Sequence, residues 1–202
     1  MQCILIIFMF SQVSYVAAGA VYNSVRVIPR EQEEETLIRG KTVFGLYGGP
    51  VVKFTELDND FAVLVGGRGG LIINHTLVIG CGGYNLANHI DVMTPEHHLL
   101  DLGYGGIFFE YIMGSRKLFH LSIHSLIGGG GLCYREYYYE PWYDDMFFVA
   151  EPGADLMLNI SRHFRMGLGG SYRFIYGIDL AGLSDAAVSA PSASLTLKFG
   201  FF

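Results

Sequence analysis

Residues 164–176 decide the fold, and they read Phe-Arg-Met-Gly-Leu-Gly-Gly-Ser-Tyr-Arg-Phe-Ile-Tyr. Most even positions are apolar or aromatic, and most odd positions are glycine, serine or arginine. A period of two indicates a β-strand, because successive side chains point to opposite faces. A soluble strand usually carries Lys and Glu on its wet face and little glycine. The run also exceeds the roughly 9–11 residues that a tilted strand needs to cross a bilayer.

The composition of the whole chain favours a membrane strand protein over a soluble enzyme. Of 202 residues, 51% are hydrophobic, 16% are charged and 27 are glycine, whereas a typical globular domain has about 25% charged residues and about 7% glycine. The net charge of −6 argues against a nucleic-acid partner, because no basic stripe is present to neutralise phosphates.

The N-terminus has the pattern of an export signal. Residues 3–10 form an unbroken apolar run, and Ala18-Gly19-Ala20 offers small residues for cleavage, so we predict a signal peptide over residues 1–20. The alternative is a short anchoring helix, although the apolar run is well under the roughly 20 residues that a spanning helix needs. Residues 21–42 contain an acidic run and Pro29, and they read as a polar periplasmic leader.

From Thr42 onward the chain reads as an all-β, eight-stranded, antiparallel up-and-down barrel over residues 43–202. The predicted strands lie near 43–54, 60–73, 76–88, 98–112, 118–133, 146–160, 164–177 and 192–202. Short turns alternate with longer loops at 55–59, 89–97, 134–145 and 178–191. Outer-membrane barrels show this alternation, with turns in the periplasm and loops outside the cell. We therefore predict extracellular loops and two periplasmic termini.

Several glycine-rich and terminal segments carry a resemblance to a known family. They are Gly66-Gly67-Arg68-Gly69-Gly70 before Ile73-Asn74, Gly103-Tyr104-Gly105-Gly106 before Glu110-Tyr111, Glu151-Pro152-Gly153-Ala154, and residues 195–202. In these the chain resembles small outer-membrane β-barrel proteins of bacteroidete-type bacteria, whose architecture is similar to the eight-stranded OmpA/OmpX class. The resemblance covers roughly residues 42–202 and implies fold and location rather than an activity. It also implies that the terminal Phe202 is read by the barrel assembly machinery, although Phe202 falls off the apolar face of its strand.

Charged residues within the predicted strands share the face that lacks bulky apolar groups. A charge facing lipid at mid-membrane costs about 2–4 kcal/mol, so Arg68, Asp155 and their neighbours are expected to face the lumen. Glu151 and Arg173 are equidistant from the turn residue Arg162, which predicts a lumenal ion pair. Because eight strands leave an interior just filled by side chains, we predict a packed polar lumen without a general pore.

One group of residues has the composition of a catalytic site. Glu110 is even-numbered while Ile107, Phe109 and Tyr111 are apolar and odd, so a β-bulge at Gly105-Gly106 is expected to turn Glu110 into the lumen. Glu110 would then neighbour His120 and Ser122, an acid–histidine–serine set that suits a nucleophile and its base. A packed lumen near the periplasmic turns excludes lipid, so we assign these three residues a structural role and predict no enzymatic activity.

The function predicted from sequence is a structural or surface-interaction role through the long loops, with outer-membrane lipid as surroundings. The loops 89–97, 134–145 and 178–191 are the candidate sites for a surface ligand. No cofactor or metal site is predicted, since the adjacent His97 and His98 lack metal-ligand spacing. Two alternatives remain open: an outer-membrane lipid-modifying hydrolase that uses Ser122, and a soluble lipocalin-like carrier with an apolar interior and a charged exterior.

Overall fold

A computed structural model describes residues 42–88, 90–92, 98–135, 145–178 and 184–202. The predicted signal peptide and all of the predicted leader except Thr42 lie outside these ranges. The strands are β1 Phe44–Leu57, β2 Asp60–Ile73, β3 Leu77–Leu86, β4 Ile90–Val92, β5 His98–Met113, β6 Phe119–Arg135, β7 Asp145–Asn159, β8 Phe164–Tyr176 and β9 Ala190–Phe201, with one short helix, α1 Asp185–Val188, before β9. Within these ranges, no helix has the length and apolar character that crossing a bilayer requires.

The eight long strands close into an antiparallel barrel, which confirms the predicted fold. The sheet order is β3-β2-β1-β9-β8-β7-β6-β5-β4, and an additional pairing of β3 with β5 closes the ring. Each of the eight long strands therefore has a partner on both sides. Closure satisfies the backbone groups that an open sheet edge would expose. The start of β1 and the end of β9 meet at one end, where Leu46 pairs with Phe201.

The two ends of the barrel differ in their connections. We call the end with the connections 74–76, 114–118 and 160–163 the turn end, and the opposite end the loop end. The predicted loop 55–59 is wrong, because β1 continues to Leu57 and a two-residue turn follows. Asp58 and Asn59 adopt φ values of 51° and 65°, a left-handed conformation that Asp and Asn tolerate better than most residues.

Two other predicted loops contain regular structure at the loop end. Residues 90–92 form β4, which pairs with the start of β5, where Ile90 lies opposite Leu100. Within the predicted loop 178–191, α1 occupies Asp185–Val188, and its Val188 is fully buried. Ile90 of β4 and Val188 of α1 are both buried in the apolar interior. This burial explains why these two segments form regular structure.

The predicted bulge at Gly105-Gly106 is wrong. β5 and β6 pair without interruption from Leu99 opposite Arg135 to Met113 opposite Leu121. Even positions of β5 from Leu100 to Ile112 point inward, so Tyr104 and Glu110 are both buried. The change in the parity of the apolar residues along β5, which suggested the bulge, has another cause. The lumen itself is apolar near the loop end and charged toward the middle of the barrel.

Two facing glycines let β5 and β6 approach closely. Gly106 lies opposite Gly128 in the ladder. A Cβ on Gly128 would meet the backbone of β5 and lie 2.5 Å from the Gly106 Cα, a separation that real side chains do not reach. By contrast, a Cβ on the outward Gly48 would meet nothing within 4 Å.

We therefore expect Gly128→Ala to destabilise the barrel, whereas Gly48→Ala, the same change at an open position, should be tolerated. Overpacking of this kind typically costs about 1–3 kcal/mol. The measurement is the thermal midpoint of the detergent-solubilised protein, followed by gel migration of unboiled samples. Equal midpoints for the two variants would contradict the close approach of β5 and β6.

Candidate functional site: the charged lumen

The lumen of the barrel is layered along its axis. Toward the loop end, the interior contains an apolar group that we call the loop-end cluster, which includes Leu57, Leu64, Leu102, Leu132, Phe147 and Val188. Charged side chains occupy the middle. Tyr47, Ile72, Val78 and Ile112 form a second apolar cluster toward the turn end, with Phe202 packed against it. The lumen is thus polar in part and apolar in part.

The first charged group joins β1 to β7 across the lumen. Lys53 Nζ lies 2.5 Å from Glu151 Oε1, and both side chains are almost fully buried. Tyr104 Oη donates to the other carboxylate oxygen of Glu151 at 2.8 Å, and the Ser171 hydroxyl donates to the oxygen that Lys53 binds. Lys53 Nζ also lies 3.4 Å from the ring centroid of Tyr84, a cation–π contact. Both charges are therefore bound on several sides, as burial in a low dielectric requires.

The second group joins β2 to β7. The Arg68 guanidinium forms a hydrogen-bonded ion pair with Asp155 and donates to the Thr196 hydroxyl at 3.2 Å. Its Cζ lies 4.9 Å from the ring centroid of Phe108. His124 Nε2 lies 3.5 Å from Asp155 Oδ1. Because β2 and β7 are opposite walls of an eight-membered ring, this pair spans the full width of the lumen.

The third group lies nearer the turn end and joins β5 to β9. Lys198 Nζ pairs with Glu110 Oε1, and Tyr47 Oη donates to Glu110 Oε2 at 2.6 Å. These two strands are also opposite each other in the ring. Each of the three groups thus places a carboxylate from one wall against a cation from a distant wall.

The predicted ion pair between Glu151 and Arg173 is wrong, although both residues face inward as predicted. The pairing of Asn159 with Arg165 and of Gly153 with Ser171 matches the predicted register on β7 and β8. Glu151 instead binds Lys53. Arg173 extends toward the loop end, where its Nε donates to the Val188 carbonyl at 3.0 Å and its Nη2 to the Glu56 carbonyl at 3.2 Å. Arg173 therefore holds α1 against the barrel mouth.

The structure does not assemble Glu110, His120 and Ser122 into a nucleophile, base and acid. All three are buried in the lumen, but Glu110 lies opposite His124 rather than His120 and is bound by Lys198 and Tyr47. Ser122 lies opposite Asp155 in the ladder. Among the described residues, neither the Ser122 hydroxyl nor His120 Nδ1 has a hydrogen-bond partner.

Sequence analysis did not identify three lumenal residues that bind the buried carboxylates: Lys53, which pairs with Glu151, and Lys198 and Tyr47, which bind Glu110. Their faces could have been predicted, because Lys53 shares odd parity with Val51 and Thr55, and Lys198 alternates with the apolar Leu197 and Phe199. Their partners could not, since each lies at least three strands away around the ring. Among the described residues, no group of three or more His, Cys, Asp or Glu side chains converges as a metal ion would need.

The outer surface of the barrel is apolar and carries aromatic residues at two levels. Near the turn end these are Phe44, Phe119, Phe164, Phe199 and Phe201, and near the loop end they are Phe54, Phe61, Phe148, Tyr172, Phe174 and Tyr176. Phe164 and Phe174 are ten residues apart on β8, which is about 33 Å along a strand. Because the strands of such barrels tilt by about 40° from the barrel axis, this corresponds to about 25 Å along the axis. That spacing equals the height of the apolar band of transmembrane barrels.

Comparison with known proteins supports the fold. The chain is similar to the crystal structure of Neisserial surface protein A, with a TM-score of 0.64 and 9% sequence identity, over 80% of this chain and 100% of that chain. It also matches Ail, the attachment invasion locus protein of Yersinia pestis, with a TM-score of 0.46 and 12% identity, over 78% of this chain and 97% of that one. No family model and no curated protein matches the sequence. At this identity the first likeness shows a shared fold.

The Lys53–Glu151 pair leads to a prediction about stability. Lys53→Met should lower the thermal midpoint of the detergent-solubilised barrel, because it leaves the Glu151 carboxylate buried without its cation, at a cost of about 3–5 kcal/mol. Adding Glu151→Gln should restore part of the loss, since the amide is neutral. Lys117→Met, on an exposed turn, is the matched control and should change the midpoint little. A midpoint for Lys53→Met equal to that of Lys117→Met would show that the pair contributes nothing.

Ser122→Ala should leave the thermal midpoint unchanged or raise it. The Ser122 hydroxyl is fully buried and has no hydrogen-bond partner among the described residues, so its removal eliminates an uncompensated polar group. The adjacent Asp155→Asn is the contrasting variant, and it should be destabilised because Arg68 loses its counterion. A marked fall in the thermal midpoint of Ser122→Ala would contradict this prediction, because it would mean that the Ser122 hydroxyl forms a stabilising hydrogen bond.

Proposed function

We propose that the protein is an outer-membrane β-barrel that acts as a structural or surface-interaction protein through its loop end, without catalytic activity and without a general pore. One observation carries this proposal: the barrel is apolar outside and charged inside. Leu168, Ile107 and Phe201 on the outer face are 63%, 56% and 70% exposed, whereas Lys53, Asp155 and Glu151 inside are at most 2% exposed. Lipid is the surrounding that makes such an exterior favourable.

A lumen closed to solutes is part of the proposal. The loop-end cluster supports it, because Leu57, Leu64 and Leu132 show no exposed surface and Val188 of α1 belongs to the same cluster. The cross-lumen pairs below the cluster occupy the middle of the barrel. An eight-stranded ring leaves an interior that side chains can fill, so the protein should not pass ions in the manner of a porin.

The soluble-carrier alternative has the opposite arrangement of polarity. A lipocalin-like protein needs an apolar cavity and a charged exterior, and the outer faces of β8 and β9 carry Leu168, Phe174, Leu195 and Phe199 instead. The hydrolase alternative requires a reachable nucleophile, whereas Ser122 is fully buried beside the Arg68–Asp155 pair. These observations favour the membrane barrel over either alternative.

We propose the binding partners from where the loops and the C-terminal residues lie on the barrel. Loops at 89–97, 134–145 and 178–191 belong to the loop end, which we propose to be extracellular, and the termini to the periplasmic side. Most of these loop residues lie outside the described ranges. Recognition by the barrel assembly machinery is proposed for the C-terminal residues. Phe199 and Phe201 point outward there, while the ring of Phe202 stacks inside on Tyr47 with centroids 6.1 Å apart.

The test of this proposal is cell fractionation of the full chain expressed in a Gram-negative host. We expect the protein in the outer-membrane fraction, and we expect the detergent extract to migrate faster on gels before boiling than after. Purified protein in planar bilayers should show no porin-like conductance. Recovery from the soluble periplasm would contradict the location, and a large steady conductance would contradict the closed lumen.

A further inference from the structure

A basic cavity opens at the turn end of the barrel. Its volume is about 540 Å3, and its lining residues include Arg116, Arg162 and Arg165 together with His75 and His163. A second cavity of about 370 Å3 shares His75 and Arg116 with the first and adds Lys117. No Asp or Glu side chain is among the described residues that line either cavity. We call the two together the turn-end basin.

Arg165 is the most unusual member of the basin. It is only 8% exposed, and its guanidinium forms no hydrogen bond or ion pair with a described residue, although the Glu110 carboxylate attracts it at longer range. Its closest specific contact is the ring of Phe202, whose centroid lies 3.8 Å from the Arg165 Cζ. The carboxylate of Glu110, three strands away around the ring, is already bound by Lys198 and Tyr47. A buried cation that faces other cations is costly unless an anion joins it.

The turns that hold the basin are fixed to each other. The Asn159 amide donates to the carbonyls of Ser115 and Lys117 at 2.9 and 2.7 Å. This joins the turn 114–118 to the end of β7, next to the turn that bears Arg162. Because the turns are tied together, Arg116 and Arg162 are held at the same cavity as Arg165 at little entropic cost.

We propose that the turn-end basin binds a phosphate group. Three arginines line one cavity, and guanidinium groups are suited to bidentate binding of phosphate. Arg165 supplies the largely buried cation whose charge the ligand would neutralise. The phosphate belongs either to a lipid headgroup or to a soluble molecule. The wall next to the basin suits a lipid, because the outward Phe201 is 70% exposed and would lie beside acyl chains.

The experiment uses the full chain purified in a nonionic detergent at low ionic strength. One arm titrates inorganic phosphate by calorimetry. The other measures lipid adducts by native mass spectrometry with dioleoylphosphatidic acid, and with dioleoylglycerol as the matched lipid without phosphate. Phosphatidic acid adducts without inorganic phosphate binding would assign the site to a headgroup, and inorganic phosphate binding alone would assign it to a soluble anion. Either result supports the proposal.

Arg116 and Arg162 lie on exposed turns, so changing them tests the site without disturbing the barrel interior. Arg116→Ser combined with Arg162→Ser should weaken binding by about tenfold or more, as expected when charge-assisted contacts are lost. Arg165→Met, which keeps the apolar stem, should weaken it as well. Arg135→Ser removes the same charge at the loop end of β6 and should leave binding unchanged.

Three results would overturn the proposal: binding of neither probe, equal binding of the two lipids with no inorganic phosphate binding, or an equal loss in Arg135→Ser and the basin variants. Heat-modifiable gel migration of each sample reports separately whether the barrel is folded. The lipid arm rests on the proposed membrane location and the inorganic phosphate arm does not. A folded outer-membrane barrel that binds neither probe would therefore refute this inference and leave the proposed function intact.

Discussion

Charges enclosed by an apolar wall must find partners across the lumen, and the rest of the structure depends on this constraint. A barrel that is apolar outside has one place for Lys53, Arg68, Glu110, Glu151, Asp155 and Lys198, namely its interior. Taking such groups out of water is costly unless opposite charges and hydrogen bonds surround them. Each carboxylate in the lumen accordingly accepts from at least one cation and from a further side chain.

These contacts also act as cross-braces. A β-ladder connects only neighbouring strands, whereas Arg68–Asp155 and Glu110–Lys198 each connect strands on opposite sides of the ring. The pairs therefore oppose flattening of the barrel in a way that the ladders cannot. Hydrogen-bonded pairs of this kind also fix the relative height of the walls, because a shift of one residue would move a partner to the lipid face.

The two ends of the barrel serve different physical purposes. At the loop end, Val188 of α1 packs into the apolar cluster, and Arg173 donates to the backbone carbonyls of Val188 in α1 and Glu56 in β1. At the turn end, Phe202 and Arg165 stack at the mouth, and the surface around them is basic. A chain with a net charge of −6 thus carries a cationic face at the turn end, where neutralising an anion is favourable.

The sequence by itself determined the strand period, the number of long strands and the inward face of Arg68, Glu151, Asp155 and Arg173. Two-residue alternation and register counted from Arg162 depend on local geometry alone, which is why the inward position of Glu151 and Arg173 could be predicted. Only the tertiary structure decided which charges meet. Closure of the ring brought Lys53 to Glu151 and Lys198 to Glu110 from strands remote in sequence, and it left Arg173 to bind α1. The apolar layer at the loop end was hidden for the same reason: an inward leucine on β5 looks like a lipid-facing one until the other walls surround it.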